Sequence, residues 1–271
     1  MDTLFFKFAL GGYFFSTLGY VISLLVKRVF VAKISTFILS LAFLLQSISF
    51  GFRCVITKQS PVLNIYDALA LLAWVMTGAY LAFQLKTKTR ILGAFVSPLS
   101  FLFMIIASIK LGGRVNLLPV LQGTLVPIHV SLAVTGEALF ALASVAGAMY
   151  LLQDSLIKKK RAHSLSRLLP SLRDLDRINH LCLLAGFPLL TVGIVLGSLW
   201  ARSVWGSHWV WEPKQIWTAL VWLLYAFLLH QRLALGWRGH KTAWFSILSF
   251  LFLLACVLIN MFSPSTLHRF V

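Results

Sequence analysis

Residues 242–262 read TAWFSILSFLFLLACVLINMF, twenty-one positions without a charge. At about 1.5 Å per residue such a helix rises roughly 30 Å, the thickness of a bilayer's hydrocarbon core. Working back from it, seven further apolar blocks are bounded by charge: 4–26, 34–52, 66–85, 91–109, 126–152, 178–200 and 215–235. Of the 271 residues, 59% are hydrophobic and only 11% charged. No soluble fold hides that much apolar side chain. The expected fold is therefore all-α: one membrane domain over 1–271 with about eight transmembrane helices. The 34–52 block is the weakest span, because it carries Gln46 and several serines. The first block has neither a preceding basic flank nor a small-residue cleavage site, so it reads as a retained span.

A net charge of +17 in a soluble chain would point to nucleic acid. Here the basic residues sit in short loops between spans, so no nucleic acid is expected. Sixteen of the 24 Lys and Arg fall in the loops around 27–33, 86–90, 158–177 and 232–241, and eight on the opposite side. The positive-inside rule makes the first set cytoplasmic and puts both termini on the outer, periplasmic side. The expected home is a bacterial inner membrane in preference to a plastid thylakoid. The run Lys158-Lys159-Lys160-Arg161 reads either as a plain orienting charge or as a contact for anionic membrane lipids. Cys54, Cys182 and Cys256 form no CxxC and read as packing residues.

Six of the nine tryptophans lie between Trp200 and Trp222, and 200–215 reads as a tryptophan-rich outer loop. Its core is Trp205-Gly206-Ser207-His208-Trp209-Val210-Trp211-Glu212-Pro213-Lys214-Gln215. An interfacial aromatic belt needs Trp but no fixed order. A turn glycine and a proline opening the next helix are more than a belt requires. Large flat apolar side chains on an outer loop suit a flat apolar ligand such as haem, whose iron needs axial ligands. His129 opens one span on that side and His268 follows another. Two neutral imidazoles there are a candidate axial pair, although each alone could be an ordinary interfacial histidine. His208, within the loop, competes with them. His230 lies about 20 Å below the outer end of its span, counted at the helical rise. It is either a ligand within the bilayer or a histidine snorkelling to the inner interface beside Arg232. His163, His180 and His240 read as solvated or interfacial. Glu137, about two turns below His129, is an intramembrane carboxyl without an assigned role.

Trp205 to Gln215 resembles the W-G-x-x-W-x-W-D-P-K-E segment of the haem-handling "WWD" family, in the form found in system II cytochrome c assembly proteins of the CcsA/ResC type. Glu212 stands for the family's Asp and Gln215 for its Glu. Pro61 to Ala68, PVLNIYDA, resembles the family's P-x-x-N-L-Y-E-S. Ile128-His129-Val130 resembles the stretch with the first external histidine. Leu229-His230-Gln231-Arg232 resembles the membrane histidine's helix. Asn260 to His268 resembles the closing N-x-x-x-x-G-L-H-S-Y without its Gly, Ser and Tyr.

The resemblance implies a role in c-type cytochrome biogenesis. Haem b would cross the membrane by way of His230. It would be held by His129 and His268 against Trp205, Trp209, Trp211, Glu212 and Pro213. It would then be joined to the CxxCH thiols of an apocytochrome c. The chain would be a component of a cytochrome c synthase, or haem lyase, complex with a ResB-type membrane partner on a separate chain. A HemX-like regulator or haem transporter without attachment activity is the alternative. A quinone-linked redox subunit is a third reading, but it leaves the Trp loop unexplained.

Overall fold

The computed structural model describes residues 1–26, 28–57, 64–87, 90–109, 125–159 and 169–262. It is all-α: α1 (Asp2–Val26), α2 (Val29–Thr57), α3 (Ile65–Thr87), α4 (Gly93–Ser108, led in by a 3-10 turn at Arg90–Leu92), α5 (Leu125–Lys158), α6 (Leu172–Trp205), α7 (Pro213–Leu233) and α8 (His240–Phe262). Among the described residues eight helical segments are long and apolar enough to cross a bilayer, as the hydropathy blocks predict.

The helices pack in two sets. In the first, α1 lies on α2 and α4, and α3 lies on α4; in the second, α5 lies on α6 and α8, and α7 lies on α8, with α3 against α5 joining the sets. Lipid tails are as apolar as leucine, so small residues and interhelical hydrogen bonds must supply much of the cohesion. At Gly136 in α5, a Cβ would stand 2.8 Å from the Gly186 carbonyl oxygen of α6, so this pair closes backbone to backbone. Gln46, the residue that weakens the second block, is fully buried. Its amide accepts from Tyr13 Oη at 2.7 Å and donates to the Ala70 carbonyl at 2.8 Å. The serines beside it are also bonded: Ser35 and Ser47 donate back to the carbonyls of Val31 and Phe43. Gln46 thus links α2 to α1 and α3 while the serines bond within α2 itself, and the helix runs well beyond the 34–52 block.

Helices α5 and α6, each 34 residues, rise about 51 Å and overhang a bilayer core of about 30 Å. Ser171 caps the start of α6 by accepting from Asp174 N–H at 3.1 Å. Gly206 ends it in the left-handed region, φ 72°, its N–H donating to the Arg202 carbonyl at 2.9 Å. Trp205 is therefore the last residue of α6, and the connection between α6 and α7 is narrower than the 200–215 loop read from the sequence.

The motif at Asn64–Asp67 has a structural role. The Asn64 side chain accepts from Asp67 N–H at 2.8 Å, and its carbonyl accepts from Ala68 N–H at 3.0 Å, which starts α3. The Asp67 carboxylate takes both guanidinium arms of Arg53 from the end of α2. At the opposite end of the bundle, Arg232 is 8% exposed. Its guanidinium donates to Asp176 Oδ1 at 3.1 Å and Oδ2 at 2.7 Å, and its Nε donates to His180 Nδ1 at 2.9 Å. Asp176 Oδ1 also accepts Gly239 N–H at 2.8 Å. His180, read from the sequence as solvated or interfacial, is half-buried near the start of α6 and belongs to a network tying α6 to α7 and to the turn before α8. Stranding one member of a largely buried ion pair costs about 3–5 kcal/mol. Asp176→Ala is therefore expected to lower the melting temperature of the detergent-solubilised protein by several degrees. Asp154→Ala removes the partner of Lys158, whose side chain is 68% exposed, and should leave that temperature nearly unchanged. Equal melting temperatures for the two variants would show that the Arg232 network does not hold the helices together.

Candidate functional site

A cavity of about 350 Å³ opens among the start of α5, the last third of α6 and the start of α7. That lies in the usual range for small-molecule sites, roughly 300–1,000 Å³. Its apolar wall is built from Val126, Val130, Ile194, Val195, Trp200 and Trp222, with Trp209 at the mouth. Its polar groups include His129, His208 and Lys214. Trp222 is held by its indole N–H donating to Thr191 Oγ1 at 2.9 Å, which ties α7 to α6 at the deep end.

His129 is held in one tautomer. Its Nδ1 stands 2.6 Å from the Gly193 carbonyl, and a carbonyl only accepts, so Nδ1 carries the proton. The other ring nitrogen, Nε2, is then the one with a free lone pair, the usual arrangement for a metal-binding imidazole anchored by a backbone carbonyl. Room for the ring comes from Gly197, where a Cβ would lie 2.7 Å from His129 Cε1 and 2.8 Å from Nδ1. Gly197→Ala should push the ring off this anchor. If the site holds a metalloporphyrin, retention should fall by about tenfold, within the range for outer-shell changes at metal sites. Unchanged retention would mean that the anchored pose is not the binding pose.

His208 shares the cavity but is already engaged. Arg202 Nη1 donates to its Nε2 at 3.1 Å, so its Nδ1 carries a proton and donates to Ser198 Oγ at 3.2 Å. It must leave Arg202 before it can ligate anything through Nε2. His268 lies outside the described residues, and so does His163.

The tryptophans read from the sequence divide. Trp209 lines the cavity. Trp205 stacks edge-on against the wall residue Trp200, centroids 5.3 Å apart and planes at 73°. Trp211 is 80% exposed and meets Trp209 edge-on at 5.8 Å. Glu212 is 8% exposed at the N-cap of α7, and Pro213 takes the first helical position. The segment is held to the helix start by Val210 N–H donating to Gln215 Oε1 at 2.8 Å. His230 is not brought to the cavity. It lies in the last turn of α7, about 12 Å along the axis beyond Trp222, and is exposed on the outer surface of the bundle. Among residues the sequence reading did not assign, Trp200, Trp222, Thr191, Gly197 and Lys214 shape the cavity. Trp200, Trp222 and Thr191 are recognisable as cavity residues only once α6 and α7 are known to pair. Glu137 lies within electrostatic reach of Lys214.

The chain matches the family of cytochrome C assembly proteins over residues 62–268. It is similar to the cytochrome c biogenesis protein CcsA of Pyropia yezoensis, 29% identical over 304 aligned positions that cover 97% of this chain and 95% of the relative. The CcsA proteins of Guillardia theta (29% identical, 85% and 83% covered) and Trieres chinensis (30%, 81% and 80%) are similar along most of their lengths as well. These organisms are algae, and this overturns the expected bacterial inner membrane: the relatives point to the plastid thylakoid. Hydropathy reports that a bilayer is crossed, not whose bilayer it is. Most of the chain falls within the family match and its relatives align nearly end to end, so the chain belongs to the CcsA/ResC-type cytochrome c biogenesis family.

Proposed function

We propose that this haem-handling protein of c-type cytochrome biogenesis holds haem in the cavity between α5, α6 and α7 and presents it there for attachment to an apocytochrome c. The observation that carries the reading is His129: an imidazole fixed through Nδ1 that lines a tryptophan-walled cavity from α5. Haem supplies iron that needs axial nitrogen and a flat apolar surface that suits indole rings. His129 would bind one axial position. Trp200, Trp209 and Trp222 would pack the ring and exclude water. His268 is the proposed second axial ligand. His208 stays tethered to Arg202 as the reserve.

By the positive-inside rule the cavity end of the bundle, with both termini, would face away from the basic loops, which in a thylakoid is the lumenal side. His230 would meet haem from the basic side, with a ResB-type partner completing its coordination, as the family resemblance implies. The thiols that accept haem belong to the apocytochrome CxxCH. The whole of residues 1–271 acts as one membrane domain in this reading. The match to cytochrome c assembly proteins over most of the chain favours attachment over a HemX-like regulatory role.

The test is a visible spectrum of the purified chain with bound haem. Wild type and His208→Ala should both give the low-spin signature of two imidazole ligands, and His268→Ala should give a high-spin one. Loss of the low-spin signal in His208→Ala, with its retention in His268→Ala, would reassign the second ligand. A chain that takes up no haem would overturn the reading altogether. Reporter fusions after Val271 and within residues 158–173 should report opposite sides of the membrane, and a common side would remove His268 as a ligand at the cavity.

A further inference from the structure

We propose that Lys214 is a carboxylate clamp that receives a propionate of the porphyrin, so that the cavity selects tetrapyrroles carrying free carboxylates. The inference rests on the cavity being the haem site and names what else in haem it reads. Among the described residues lining the cavity, Lys214 is the one lysine or arginine. The neighbouring polar groups have other work. The Gln215 amide oxygen accepts Val210 N–H, and Arg202 is on His208. A lysine in the first turn of a helix opposes the helix dipole, so its place at the second position of α7 is not explained by helix stability. Together the ammonium and the positive end of α7 favour an anion at this wall.

Glu137 and Glu212 lie within electrostatic reach of Lys214, one on the membrane-interior side and one at the start of α7. A lone ammonium in an apolar wall is costly unless an opposite charge is near. The two carboxyls offset that cost when no ligand is present. An arriving propionate would take over from them as the counter-charge of a lysine that already lines the cavity. In this proposal Glu137 also has a use, as the resting counter-charge of Lys214.

The experiment compares ferric protohaem with its dimethyl ester, which keeps the ring, the vinyl groups and the iron but has no carboxylates. Both are titrated into the detergent-purified full chain. Wild type should prefer the free acid by about tenfold, equivalent to ~1.4 kcal/mol. Lys214→Met should bind the ester as wild type does and lose the preference. Lys214→Arg should keep it. Ester binding within the Met variant shows that this variant is folded. Equal binding of the two porphyrins by wild type would overturn the clamp while leaving the haem site standing. So would parallel weakening of both porphyrins by Lys214→Met. If wild type binds neither porphyrin, the haem site fails and the clamp with it.

Discussion

Cells carrying His129→Gly are expected to lose accumulation of c-type cytochromes, with haem retention by the purified chain falling by more than about a hundredfold. That exceeds the 10- to 100-fold range typical of outer-shell changes at metal sites, because here the ligand itself is removed. The anchoring hydrogen bond to the Gly193 carbonyl defines which nitrogen is free, and the space beside Gly197 defines where the ring sits. Deleting the ring leaves a cavity of its own shape. Added imidazole should enter that cavity and restore part of the low-spin spectrum and part of the cytochrome output. His129→Gln keeps a polar side chain but offers iron no nitrogen lone pair, so it should not recover. Retention unchanged in the Gly variant would place the haem elsewhere.

Much of this molecule can be read one helix at a time, and the rest cannot. The spans were legible because a bilayer imposes a length and an apolar content on each, whatever its neighbours do. Pro213 opening α7 and Gly206 closing α6 were legible because their backbone requirements are local. Trp200 and Trp222 were not, since they become walls of one cavity only when α6 and α7 come together. Lys214 was legible as part of a segment but not as a cavity residue, for the same reason. His208 reads from the sequence as a competing ligand ranked below His129 and His268, and only the fold brings Arg202 and Ser198 onto its two nitrogens. Arg232 looked like one more orienting charge, yet it pairs with Asp176, 56 residues away in sequence. In each case the sequence displayed the chemical group but not the partner that decides its state.

His230 yields the sharpest separation between stability and function. It is exposed on α7, on the same surface as Leu223, 55% exposed, and Phe227, 44% exposed. Those neighbours are ordinary lipid-facing side chains. An imidazole among them has polar nitrogens that hydrocarbon cannot satisfy. If His230 held the bundle together it would face inward, as Gln46 and Asn179 do. His230→Leu is therefore expected to leave the melting temperature of the isolated chain within about a degree or two of wild type, as surface changes of ±0.5 kcal/mol do. Haem reaching the cavity in cells that also contain the partner should nevertheless fall by about tenfold. His230→Gly should show the same loss, and there imidazole can fill the vacated space and return part of the signal. The proposed cause is that haem enters at the interface between this face of α7 and a neighbouring chain, where His230 supplies one ligand and shields its own nitrogens from lipid. A marked drop in melting temperature for His230→Leu would show that the residue is structural. Normal loading of the cavity in both variants would show that it only reaches toward the headgroups, and that haem takes another route.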